Sequence, residues 1–145
     1  PPLRAAADRE ALRAAVRRGV VSAICSDHQP HEADAKVNPL PLTEPGISAL
    51  ETLLPLALRL VQEKLLTPLA AVERLTLGPA RVLGLPAGRL TAGAPAHMSL
   101  VDPRARWTLR AGALLSAGRH TPFDGTAFRG RAVRTLHAGR TVFGA

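Results

Sequence analysis

The apolar positions of this 145-residue chain change their rhythm several times. Over residues 8–18, Leu12 and Val16 stand four apart, Asp8 opens the run and Gly19 follows its last turn, which predicts a helix. A continuous apolar run at 20–25 ends abruptly in polar residues, the pattern of a strand buried on both faces. Helix, glycine turn and buried strand form the rhythm of an α/β fold. Residues 26–47 have no period and hold Pro30, Pro39, Pro41 and Pro45. They predict a long loop, of the kind that makes lids and binding loops. Ser48-Ala49-Leu50-Glu51 has the spacing of a capping box. Behind it Leu50, Leu53, Leu54, Ala57, Leu58 and Val61 recur at helical period, with Pro55 placed to kink the helix. Thr67-Pro68 predicts a further helix start, with Leu69, Val72 and Leu75 as its buried face. Gly78-Pro79 interrupts that helix, and 80–83 make one more turn before Gly84. From Gly88 the helical period is lost. Apolar runs at 98–101, 107–109, 132–136 and 141–143 alternate with Gly, Pro and Asp, which predicts small antiparallel strands.

Composition narrows the function classes. The net charge of +8 invites a nucleic-acid reading. Yet seventeen of the nineteen cations are arginine, and those of the tail are spread singly rather than clustered. Three Phe, one Trp and no Tyr leave little to stack on bases. Nucleic acid is therefore set aside, and so is a membrane, because no stretch approaches the ~18 consecutive apolar residues of a span. The single cysteine, Cys25, forms no disulfide within the chain and reads as a small buried hydrophobe in a reducing, cytoplasmic setting. The first residue is Pro1 rather than Met, so the chain reads as a piece of something longer.

The chemistry gathers at one place. Directly after the apolar run come Ser26-Asp27-His28-Gln29-Pro30-His31, one carboxylate and two imidazoles in six residues. Groups just past the carboxyl end of a parallel strand sit where α/β barrels build their active sites. Pro30 fixes its own φ and keeps Gln29 out of the helical region, so the loop is stiff there. Asp27 and His31 are the candidate site residues. Asp and His after a strand also serve as turn formers and caps, and six residues alone leave both readings open.

The surrounding sequence adds a resemblance. The Asp27 cluster, then Asp34-Ala35-Lys36, then Glu44-Pro45-Gly46-Ile47-Ser48-Ala49-Leu50-Glu51-Thr52, resembles the carboxy-terminal part of dihydroorotases, in the cyclic amidohydrolase superfamily. Pro1-Pro2-Leu3-Arg4 is similar to the family's Asn-Pro-Pro-Leu-Arg segment. Gly88-Arg89-Leu90, Gly93-Ala94, Val101-Asp102-Pro103, Trp107-Thr108, Thr121-Pro122-Phe123 and Gly139-Arg140 follow in the family's order. His97 stands where the family usually has Asp.

The resemblance implies an α/β fold: the carboxy-terminal part of a metal-dependent amidohydrolase (β/α)8 TIM barrel, then strands of a small β-sandwich. Residues 1–87 would supply the last barrel strand, active-site loop and helices, and 88–145 part of the sandwich. A complete barrel needs ~250 residues, so most of it would lie outside this chain.

The implied reaction is reversible cyclisation of N-carbamoyl-L-aspartate to dihydroorotate in de novo pyrimidine biosynthesis, at a centre of two zinc ions. By the same resemblance Asp27 contacts the metal and shuttles the proton, and His31 binds the substrate. Pro45 and Gly46 take the place of the family's Phe-Gly contact to the pyrimidine ring, although Pro45 brings no N–H. The remaining metal ligands would lie upstream, so residues 1–145 alone are expected to be inactive. A cytoplasmic oligomer acting on a small molecule is the implied setting. The rival expectation is a non-catalytic relative that scaffolds aspartate transcarbamoylase, with an allantoinase or hydantoinase as a further alternative. His28 reads as structural, orienting the loop. His97, His120 and His137 lack the mutual spacing of a metal site.

Overall fold

The computed structural model describes residues 3–144. Pro1 and Pro2, where the resemblance opens, lie outside the described residues. The helices are α1 (Ala6–Arg17), α2 (Leu53–Gln62), α3 (Pro68–Leu75) and α4 (Leu77–Val82). The strands are β1 (Met98–Thr108), β2 (Ala127–His137) and β3 (Arg140–Phe143), with short 3-10 turns at Ala33–Lys36, Leu40–Leu42, Leu50–Thr52 and Ala111–Ala113. The contacts divide the chain into two compact units: residues up to Ile24 with Ala57–Ala94, and Cys25–Leu56 with residues from Pro95 on. This grouping puts the long loop with the strand-rich tail, whereas the sequence division at residue 87 follows chain order.

In the first unit the helix signals act as read, with local adjustments. Asp8 is the third residue of α1, not its cap, and its carboxylate accepts from the Ala5 N–H at 3.1 Å. At the far end Val20 N–H donates to Ala15 O and Gly19 N–H to Val16 O, which closes the helix at Gly19. Thr67 Oγ1 accepts from Ala70 N–H at 3.2 Å and Pro68 opens α3. Glu63 joins α1 to the end of α2: Arg13 Nη2 reaches it at 2.6 Å and Arg59 Nε at 3.1 Å. The hydrogen bond from Arg13 holds the Glu63 carboxyl below the usual glutamate range.

Three expectations are corrected here. Residues 20–25 form no strand ladder. A parallel strand needs a neighbour to receive its backbone, and no strand among the described residues flanks the segment. It is held instead by Ile24 N–H donating to Arg74 O and by a close approach of Gly78 to the Ser22 carbonyl, where a β-carbon would overlap. Cys25 is exposed, not buried. The predicted buried face of α3 is open as well: Leu69 is 78% and Val72 48% exposed, and Ala71 is the buried residue. Hydrophobic period marks which face can be buried, and burial itself requires something laid over that face.

The second unit carries a three-stranded antiparallel sheet in the order β1-β2-β3. The runs at 98–101 and 107–109 are joined in one long strand, interrupted where Asp102 pairs with Arg131 and Arg106 with Arg129. Four steps on β1 there match two on β2, a bulge around Pro103, which has no N–H for the ladder. The β2–β3 hairpin turns through Ala138 (φ 48°) and Gly139 (φ 80°), both left-handed as a two-residue turn of this hand requires. Leu109, Leu114 and Phe128 form the core, with Leu56, Trp107 and Phe123 packed against it. Trp107 pairs with Phe128 across the strands, ring centroids 5.3 Å apart, and its Nε1–H donates to Gly130 O.

Candidate functional site

The four sequence-selected residues, Asp27, His31, Pro45 and Gly46, all lie in the second unit. Two segments of the long loop meet as a short parallel bridge between His28 and Ile47, with Gln29 N–H donating to Ile47 O at 3.0 Å. This bridge brings residue 45 beside residue 31. His31 Nε2 lies 2.8 Å from the Pro45 carbonyl oxygen. A carbonyl only accepts, so Nε2 carries the proton and Nδ1 is the ring atom left for a ligand. Two residues expected to bind substrate separately are thus bonded to each other. Gly46, at φ 125°, passes so close that a β-carbon would come 2.7 Å from Gln29 O. Any other residue there would push the two segments apart.

Asp27 is exposed and adopts φ 47°, a left-handed conformation unusual outside glycine and tolerated best by Asn and Asp. It therefore stands at the head of the cluster in a left-handed conformation rather than as a helix cap. His28 points its chemistry inward. Its Nδ1 accepts from Ala49 N–H at 3.0 Å and Leu50 N–H at 3.1 Å, and its Nε2 lies 3.5 Å from Ser116 Oγ.

Sequence reasoning missed the segment that supports this loop from the tail. Ser48 and Glu51 do not form the expected capping box. Ser48 Oγ donates to Gly118 O at 2.6 Å, Ser48 N–H donates to His120 O at 2.7 Å, and Glu51 Oε1 accepts from Leu115 N–H at 2.7 Å. His120 Nε2 lies 3.0 Å from Glu32 O, the ring donating. At Gly118 a β-carbon would stand 2.6 Å from His31 O and 2.7 Å from His31 N. Residues 114–121 are thus a strap across the loop. With its box unused, the turn at Leu50–Thr52 is 3-10 before α2 begins, and Pro55 falls in the first turn of α2, where its missing N–H costs nothing. A cavity of about 220 Å³ lies between strap and loop, lined by His28, Ser48, Glu51, Leu114, Leu115 and Ser116 among others.

A metal centre needs several convergent donors. Among the described residues no three of His, Cys, Asp and Glu come together in a way that could hold a metal ion. Asp27 offers a single carboxylate, so these residues by themselves do not fit the two-zinc centre that the resemblance implies. His97 and His137 do meet, with ring centroids 4.5 Å apart, but as a pair without a third donor.

Comparison with known proteins identifies the family. The amidohydrolase family matches over residues 2–142. A "Dihydroorotase-like protein" of Pseudomonas aeruginosa is 54% identical over 136 residues, covering 94% of this chain and 32% of that protein. A "Dihydroorotase" of Syntrophotalea carbinolica is 44% identical over 143 residues, covering 99% of this chain and 34% of its own. Among solved structures, "L-Hydantoinase (Dihydropyrimidinase) from Arthrobacter aurescens" superposes with a TM-score of 0.91 at 28% identity, over 99% of this chain and 33% of that one. The chain spans about a third of the length of the curated relatives it matches, as a carboxy-terminal portion. No helix among the described residues is long and apolar enough to cross a membrane.

Proposed function

This chain belongs to the amidohydrolase family, and on that premise we propose that it is the carboxy-terminal part of a dihydroorotase-type enzyme. The proposed reaction is the reversible ring closure of N-carbamoyl-L-aspartate to dihydroorotate in pyrimidine biosynthesis, by a cytoplasmic, oligomeric protein. The observation that carries this reading is the bond between His31 and Pro45. It gathers the His31 imidazole and the Pro45-Gly46 backbone on the loop that begins at Asp27, itself in a left-handed conformation.

Opening a cyclic amide requires a base that takes a proton from the attacking water and returns one to the departing nitrogen. Asp27 has the exposed carboxylate for that exchange. The substrate carries carboxylates, which only accept, so Nδ1 of His31 meets one as a donor in the doubly protonated ring, Nε2 being committed to Pro45. Gly46 supplies a backbone N–H at a place where nothing larger fits, and Pro45 supplies none. In this reading the zinc ions would be held by ligands outside the described residues, with Asp27 as a further contact.

A second reading is favoured by one observation: the 54% identical relative is named only dihydroorotase-like. On that reading the parent is a non-catalytic scaffold for aspartate transcarbamoylase. One experiment tests both. Dihydroorotate formation is measured for the full-length protein carrying this segment, as wild type and as Asp27→Asn. Loss of the base is expected to lower turnover roughly 10²–10⁴-fold. No turnover in either form, with a transcarbamoylase complex of unchanged size in both, would overturn the enzyme and favour the scaffold.

A further inference from the structure

We propose that His28, rather than a second catalytic group, is the positioning residue of this site: its ring ties the left-handed Asp27 segment to the first turn before α2. The inference rests on the proposed role of Asp27 and extends it to a residue with no part in the chemistry. Three observations converge. Asp27 occupies a left-handed conformation that a non-glycine residue keeps only where its surroundings over-determine it. The next residue is pinned twice, by its backbone bridge to Ile47 and by a side chain that accepts two N–H groups on one nitrogen. Those N–H groups belong to Ala49 and Leu50, at the start of the Leu50–Thr52 turn, where helix-start donors have no partner of their own.

The geometry fixes the tautomer. Nδ1 accepts twice, so the proton is on Nε2, which lies 3.5 Å from Ser116 Oγ on the strap. The ring therefore bridges three stretches: the segment at Asp27, the helix start and the tail. Its neighbours Ser48 and Thr52 are buried and bonded to Gly118 O and Ala49 O, so the surface that receives it is rigid. Because His28 follows Asp27 directly, rotation of its ring or release of its backbone passes straight into the direction of the Asp27 carboxylate. A small displacement of a reacting group is enough to slow chemistry about 10²-fold.

The test uses the full-length protein with two substitutions. His28→Ala removes the acceptor, whereas His28→Asn places an amide oxygen close to the position of Nδ1. The readouts are kcat and KM for dihydroorotate formation, and amide hydrogen exchange at Ala49 and Leu50. Expected for His28→Ala are a fall in kcat of about 10²-fold with KM little changed, and exchange faster by about fivefold to tenfold, the factor that one net hydrogen bond supports. His28→Asn is expected to restore most of both. Unchanged exchange in His28→Ala overturns the proposal. So does faster exchange with unaltered kcat, which would make the ring merely structural. If wild type itself has no turnover, the failure lies with the enzyme reading, and exchange alone decides whether His28 holds the turn. If His28→Ala does not fold, His28→Gln carries the same comparison, since its amide extends toward the Nε2 position and leaves that of Nδ1 empty.

Discussion

The strand-rich unit and the helical unit differ in the size of the apolar side chains they bury. In the first, Leu109, Leu114 and Phe128 are buried together and the aromatic rings of Trp107 and Phe123 close over them. In the second, the buried positions are mostly small, such as Ala57, Ala71 and Ala80, while Leu12, Leu69, Val72, Val82 and Leu83 remain exposed. Every candidate site residue is in the unit with the developed core. A catalytic loop has to be held to within fractions of an ångström, and a packed core with polar straps does that. Both units also leave large apolar side chains open to solvent, Leu69 and Val82 in the helical unit and Leu40 and Leu115 in the strand-rich one.

Four substitutions or conditions sharpen this contrast. The largest effect is expected at the strand-rich core. Leu109, 1% exposed, leaves a cavity when cut to alanine, and Leu109→Ala is expected to cost about 2–5 kcal/mol in denaturant titration. An equally stable variant would mean that this core does not hold the unit. Next is the strap. Gly118→Ala forces a β-carbon onto the His31 backbone and is expected to cost about 1–3 kcal/mol. In the full-length protein it is also expected to raise KM before it lowers kcat, because His31 moves and Asp27 does not. Third, Leu69→Ser on the open face of α3 is expected to shift stability by no more than about 0.5 kcal/mol and to reduce self-association in light scattering. A large loss of stability there would show that the face is covered in solution.

The smallest effect is electrostatic and lies in the helical unit. The Glu63 carboxyl is held low by Arg13, so its contribution is fully present above the unfolded glutamate value, about 4.3, and fades as pH falls through the lower folded value. Both partners face solvent, which keeps the effect small. Melting temperature followed from neutral pH down to about pH 3 is expected to fall less steeply in Glu63→Gln than in wild type. Identical slopes would remove Glu63 from the acid response.

What the sequence determined by itself is local. Thr67-Pro68 starts a helix, Gly19 ends one, the proline-rich stretch at 26–47 is a loop, and the tail turns to antiparallel strands. Each of these depends on residues within about one helical turn or one hairpin, so the signal is complete in the chain. The cluster Asp27–His31 was legible for the same reason, as chemistry condensed into one short run. The tertiary structure decided the rest. It decided that Ser48 and Glu51 serve the strap and not a capping box, through a bond from Ser48 to Gly118 across seventy residues of sequence. It also decided which nitrogen of His31 is free of the Pro45 bond, that residues 20–25 pair with no strand among the described residues, and that Leu69 and Val72 of α3 stay exposed. Periodicity states what a segment is able to bury or donate, whereas burial and bonding are properties of pairs, and the partner's address is not written next to either member.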